Sequence, residues 1–288
     1  MQPNLTSATG LPLLEEGASG PSVLLAQSLL NREGALLDLD GDFGAGTEAA
    51  VRTCQARHKL SADGAIGVRT WALLEGLPDP CPGVDTRAVT FIVQQEVGSR
   101  AAYDAIYCHP SWPGGESGIT IGIGYDLRFA VDLIGDWGSH LSANDLHALG
   151  LWRGEAGSAA GAAALGSIVV PWVAAWSVFA RRTLPTTLQS TKRAFPGLER
   201  LPLLSAGALV SLVYNRGAAT AGPNREEMGQ IRDAVQQGEL AAIPGLLRAM
   251  TRLWPDSPAL RDRREQEADL FAEGLREGVQ IDVGDDPN

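Results

Sequence analysis

Lysine is nearly absent from this chain: of 23 basic residues only Lys59 and Lys192 are lysines, set against 34 acidic residues. The resulting formal net charge of −11 argues against nucleic acid or an anionic membrane as the main partner, because both bind through clustered cations. Cysteine is scarce as well. Cys54, Cys81 and Cys108 cannot all pair within one chain, and no CxxC occurs, so neither a disulfide framework nor a zinc knuckle is expected. The four histidines (His58, His109, His140, His147) form no HExxH or comparable ligand set, so the sequence predicts no metal and no cofactor. His109 beside Cys108 reads as a loop coincidence. The N-terminal MQPNLTSATGLPLLEEG has neither a basic start nor an apolar core, so no cleaved signal peptide is readable. Residues 156–180 carry no charge and could span a bilayer by length. Their first half is Gly and Ala, however, and Pro171 interrupts them. The expectation is a loop followed by a buried helix starting near Pro171, where proline is tolerated, and no stable membrane insertion.

What remains is an ordinary globular composition, 44% hydrophobic and 20% charged over 288 residues, with room for one large or two modest domains. LPDPCPGVD concentrates proline, glycine and aspartate near residues 78–86 and divides the chain there. The sequence therefore predicts an N-terminal domain over 10–78, a linker over 79–86 and a second domain over 87–288, with a tail from about residue 277. An internal repeat marks the first domain: DGDFG at 40–44 with Thr47 recurs as DGAIG at 63–67 with Thr70. Helices are expected over about 21–31, 47–57 and 68–75, a small three-helix bundle with its loops set by the glycine turns. Asp38, Asp40 and Asp42 alternate as in a calcium loop. Phe43 stands where that loop needs glycine, though, and Ala49 where it needs a bidentate glutamate, so calcium is excluded.

The second domain opens on a helix with Asp85 or Thr86 as N-cap and Gly98 as stop signal. Val89, Ile92, Val93 and Glu96 share one face, because side chains three and four apart stack on a helix. Glu96 is the one ionisable group on that stripe. Burial and the negative end of the helix dipole would both raise its pKa. A carboxylic acid kept protonated near neutral pH is what a glycosidase uses as its general acid; the alternative is a glutamate that edges the apolar face.

Two family resemblances follow from these residues. Gly17, Gly20, Val23, Gln27 and Leu30, then DGDFG with Thr47, Val51 and Gln55, then DGAIG with Thr70 and Trp71, resemble the type 1 peptidoglycan-binding domain. The resemblance covers roughly residues 13–76 and implies anchoring to the cell wall, with Asp40, Asp42, Thr47 and Asp63 as the candidate wall contacts. Beyond it, the chain looks like the phage-type lysozymes, the lambdoid and T-even endolysin group of glycoside hydrolases. The features are Glu96 with Tyr103 seven residues on, TIGIG at 120–124, ALVSLVYNRG at 208–217, and LRDRREQEADLF at 260–271 with Arg263 and Arg264. That likeness implies an α+β, mainly helical fold, with a small β-hairpin lobe beside a larger helical lobe.

The likeness also departs from its pattern. The family places an aspartate nine residues after the glutamate, and here that position is Ala105. Asp104 stands one residue off, where strand alternation would turn it to the opposite face. Glu116 is another available carboxylate, and Thr120 could instead position water with Glu96 as the only essential acid. Tyr103, Tyr125 and Asp126 are candidate substrate contacts, Asp126 equally a turn cap. The combined expectation is a monomeric endolysin acting on bacterial peptidoglycan. Its reaction would be hydrolysis of the β-1,4 bond between N-acetylmuramic acid and N-acetylglucosamine, with Glu96, Thr120 and Glu116 as catalytic residues. It would accumulate in the host cytoplasm and reach the wall after holin-type release. The alternatives are a lytic transglycosylase using a single glutamate, and a non-catalytic wall-binding protein.

Overall fold

The computed structural model describes residues 10–283, with side chains to residue 278. The fold is α+β and mainly helical. The chain gathers into two compact units, one of Met1–Pro80 with Glu96–Phe179, the other of Cys81–Gln95 with Ala180–Asn288.

In the first unit the expected bundle is present: α1 (Pro21–Asn31), α2 (Ala45–Arg57) and α3 (Val68–Glu75). Pro21 opens α1, where a missing backbone N–H costs nothing. Val23, Leu30, Val51, Ile66, Trp71 and Leu74 form its core. Trp71 is fully buried, and its indole N–H donates to the Pro12 carbonyl at 2.7 Å. Residues 96–179 add short helices and a single antiparallel hairpin of β1 (Thr120–Ile121) and β2 (Tyr125–Asp126). The uncharged stretch around Pro171 resolves into the helices Ala159–Ala164 and Trp172–Val178, with Pro171 as N-cap of the latter. Among the described residues no helix is long and apolar enough to cross a membrane.

The second unit is built on the helix Leu203–Arg216, in which every residue from Leu204 to Val213 is buried. Around it lie most of α4 (Thr86–Val97), the helix Leu184–Ala194 and the long helix Pro258–Val283. Within α4, Val89, Ile92 and Val93 are fully buried, and the Asp85 carboxylate accepts from the Arg87 backbone N–H at 2.8 Å, capping the first turn as the sequence suggests. Small residues let the helices approach. A Cβ added at Gly207 would overlap Ala88 Cβ and press on Val84, and one at Gly274 would overlap Ser205.

A buried ionic cluster ties the long helix to the central one. The Glu267 carboxylate accepts from Ser211 Oγ at 2.7 Å and from Arg264 at 2.8 Å, with Arg263 at 3.3 Å. Burial pushes the Glu267 carboxyl up, opposed by the two guanidiniums, and pulls Arg264 down to about 10. Arg264 completes its surroundings against the Trp254 ring at 5.5 Å. Gly207→Val should lower unfolding free energy by about 1–3 kcal/mol, the usual cost of overpacking. Chemical denaturation checks it: a midpoint unchanged from the parent would show that α4 and Leu203–Arg216 are not in the close contact described.

Candidate active site

The two DG turns are set by buried carboxamides. Gln27, at 1% exposure, donates to Asp40 Oδ1 at 2.7 Å and to the Asp42 carbonyl at 3.1 Å, and accepts from the Gly41 N–H at 3.0 Å. Thr47 Oγ1 lies 3.3 Å from the same amide. Gln55, equally buried, repeats the arrangement with Asp63 Oδ1 at 2.9 Å, the Ala65 carbonyl at 2.9 Å, Thr70 Oγ1 at 3.1 Å and the Gly64 N–H at 3.0 Å. Gly41 and Gly64 adopt φ of +73° and +82°, which favours glycine. Of the candidate wall contacts, Asp40 and Asp63 each commit Oδ1 to the module and remain exposed, whereas Thr47 is buried. Asp42 contributes its main chain and keeps an exposed side chain.

At the other candidate site, Glu96 lies in the last turn of α4 and is half-buried, less enclosed than the apolar stripe suggests. Gly98, with φ of +70°, ends the helix. Ser99 then caps a new turn, Arg100–Ala102, that runs on into the wider helical turn Tyr103–Tyr107. Asp104 therefore does not lie on a strand, and alternation is not what orients it. It pairs with Arg100 one turn earlier at 3.1 Å. Tyr103 is fully buried: its hydroxyl donates to the Val170 carbonyl at 2.9 Å, its ring meets Trp172 edge-on at 4.9 Å, and burial pushes its phenol above the ordinary range. It is a core residue, with no face to offer a substrate. Cys108 and His109 are likewise engaged locally, Cys108 Sγ with the Asp104 carbonyl at 3.2 Å and His109 Nδ1 with the Ile168 carbonyl at 3.0 Å.

The hairpin carries the remaining candidates. Thr120 is half-buried and sits opposite Asp126, and its backbone N–H and C=O also bond Ser111 at 2.8 and 2.9 Å. β1 is thus held on both sides. The Asp126 carboxylate accepts from the Gly118 N–H at 3.1 Å and the Arg128 N–H at 2.8 Å, so it caps the short turn Leu127–Phe129. Of its two sequence readings, the structure supports the turn cap. Tyr125 donates to Asp136 Oδ2 at 2.9 Å and meets Trp137 edge-on at 5.5 Å; burial first, then Asp136, raise its phenol. Gly122, at φ of +60°, passes so close to Trp137 that a Cβ would stand 2.8 Å from the ring, which fixes the hairpin on the helix Leu133–Trp137. The Glu116 side chain is 97% exposed and leans on Arg128 at 3.4 Å.

The structure therefore brings Thr120, Tyr125 and Asp126 onto one hairpin and leaves Tyr103 in the core. It also assembles a group absent from the sequence reading: Glu33, Cys54 and His58, whose ligand-type atoms all lie within 4.8 Å of one another. The legible signal is Cys54 in the last turn of α2 with His58 four residues on at its C-cap; Glu33 joins them only through the tertiary fold.

Residues 19–74 match the family model described as putative peptidoglycan binding domain. A solved structure with some similarity is that of the Burkholderia AP3 phage endolysin: 18% identical, covering 92% of this chain and 99% of that one, at a TM-score of 0.22. No curated protein matches the sequence.

The turn carboxylates give a pH prediction. Asp40 is held below its ordinary 3.8 by the Asp42 N–H and then by Gln27, and Asp63 by Gln55 and then by the Ala65 N–H. A lowered folded-state pKa adds stability that is fully present above 3.8 and is lost as pH falls through the folded value. The double variant Asp40→Asn, Asp63→Asn keeps the acceptors and removes the charge, so its acid unfolding below pH ~4 should be less steep than the parent's. Superimposable acid titrations followed by circular dichroism would refute the assignment.

Proposed function

We propose that this chain is an endolysin, a wall-anchored enzyme that cleaves the glycan of bacterial peptidoglycan. The observation that carries the reading is the fusion on one chain of a peptidoglycan-binding module, matched over residues 19–74, with a half-buried glutamate at a helix end followed by a glycine-turned hairpin. In this reading residues 10–78 bind the wall, 79–86 link, and 87–288 cleave the β-1,4 bond between N-acetylmuramic acid and N-acetylglucosamine. Glu96 protonates the leaving oxygen as general acid. Its half-buried place at the helix end leaves the carboxyl able to reach solvent-borne substrate. Thr120, on a strand braced from both sides, positions water or a sugar hydroxyl. Among the N-terminal candidates, Asp40, Asp42 and Asp63 all face solvent, and Thr47 is buried.

A second reading, a lytic transglycosylase with one essential glutamate, draws support from the other carboxylates. Asp104 pairs with Arg100, Asp126 caps a turn, and Glu116 stands almost fully in solvent. A two-carboxylate hydrolase needs its pair about 5–5.5 Å apart for retention or about 6.5–9.5 Å for inversion. In the first reading Glu116 would have to fold inward from its loop to act as base.

Glu96→Gln should lower release of soluble muropeptides from purified peptidoglycan by about 10²–10⁴-fold, the usual contribution of a general acid, while wall pull-down is retained. Wild-type rates in that variant would end both catalytic readings, and a parent protein that binds without releasing muropeptides would leave a wall-binding protein. Product chemistry separates the two activities: a reducing end marks hydrolysis, a 1,6-anhydro end transglycosylation. Glu116→Gln should leave the rate within about twofold if Glu96 is the only essential carboxylate, and reduce it by about 10²-fold or more if Glu116 is the base.

A further inference from the structure

We propose that Glu33, Cys54 and His58 form a binding site for a zinc-type divalent cation, on the side of the N-terminal module formed by α2 and the turn after α1.

The donor set is one that zinc takes: a thiolate, an imidazole and a carboxylate. Cys54 lies in the last turn of α2 and His58 is its C-cap, four residues on, with the His58 N–H still bonded to the Cys54 carbonyl at 3.1 Å. Glu33 reaches them from the turn after α1, with Oε1 at 2.7 Å from His58 Nε2. All three ligand-type atoms fall within 4.8 Å of one another. With metal–ligand bonds of 2.0–2.3 Å, tetrahedral ligands stand roughly 3.3–3.7 Å apart, so small rotamer shifts close the set around an ion.

The second Glu33 oxygen is held by Arg57 Nη1 at 3.4 Å. That contact orients the carboxylate as an outer-shell partner does. A cation in that place would be held by the thiolate and would neutralise the carboxylate.

A second feature points to a ligand at this place. Glu33, Cys54 and Arg57 line one side of a cavity of about 360 Å³, whose other lining includes Arg100 and Trp172. Three protein ligands leave a fourth position, and the cavity gives that position room for water or an anionic group. A closed structural site would have no such opening. Trp172 also donates its indole N–H to the Gly34 carbonyl at 2.8 Å, which fixes the residue next to Glu33.

The test uses the full-length, tag-free protein stripped of metal. Isothermal titration with zinc chloride should give a stoichiometry of one with micromolar or tighter affinity. His58→Ala, Cys54→Ser and Glu33→Gln should each weaken it by at least about tenfold, the least that even outer-shell partners contribute. His58 is the most solvent-exposed ligand, so His58→Ala keeps the fold, checked by an unchanged thermal midpoint without metal. Cobalt(II) added to the parent should give a thiolate charge-transfer band that Cys54→Ser abolishes. Absence of saturable zinc binding, zinc affinity unchanged in His58→Ala, or a cobalt spectrum without the thiolate band would each overturn the proposal.

Discussion

Gln27 and Gln55 are the pivots on which the N-terminal module depends. A carboxamide buried without partners would cost several kcal/mol, so the chain must bring donors and acceptors to it. It does so twice, by wrapping an Asp-Gly turn around the amide and closing it with a threonine from the next helix. The glycine in each turn is needed because the backbone N–H that meets the glutamine oxygen comes from a residue at positive φ. This explains why the repeat couples Asp, Gly and Thr with a glutamine well upstream. The arrangement also buries Thr47 and commits one carboxylate oxygen of each aspartate, while both aspartates stay exposed.

The same demand for pairing sorts the candidates near the hairpin. Tyr103 has a buried hydroxyl and finds the Val170 carbonyl, which makes it part of the core. Asp126 has two oxygens and gives one to each of two backbone N–H groups. Tyr125 has its hydroxyl on Asp136. Each looked like a ligand-facing residue because polar and aromatic side chains beside a glycine turn are what a cleft also requires. Local pairing and substrate recognition draw on one alphabet, and only coordinates separate them.

How much was legible follows from the range of the interactions. α1, α3, the capped start of α4 and the stop at Gly98 rest on contacts within a few residues, and all stand where the sequence places them. Strand alternation does not apply to Asp104, because residues 103–107 are helical. Ser99 instead accepts from the Ala102 N–H and restarts a helix, which sets Asp104 beside Arg100. The grouping of Glu33 with Cys54 and His58 spans two elements, so no local pattern could show it. Nor could chain order show that residues 96–179 gather with the N-terminal module while Cys81–Gln95 gathers with the C-terminal helices.

Two glutamates on apolar helix faces differ in how far they are enclosed. Glu267 has no solvent exposure, and its charge is answered by Arg263, Arg264 and Ser211. Such a cluster is costly to break, about 3–5 kcal/mol for loss of one partner, and it cannot exchange protons with a substrate that never reaches it. Glu96 occupies the end of its helix, where the apolar stripe runs out and the chain turns at Gly98. Its position there is half-buried, beside the apolar face but not enclosed by it. A glutamate one turn earlier on the same stripe, at Ile92 or Val93, would be fully enclosed. The helix end is what gives this carboxylate its exposure.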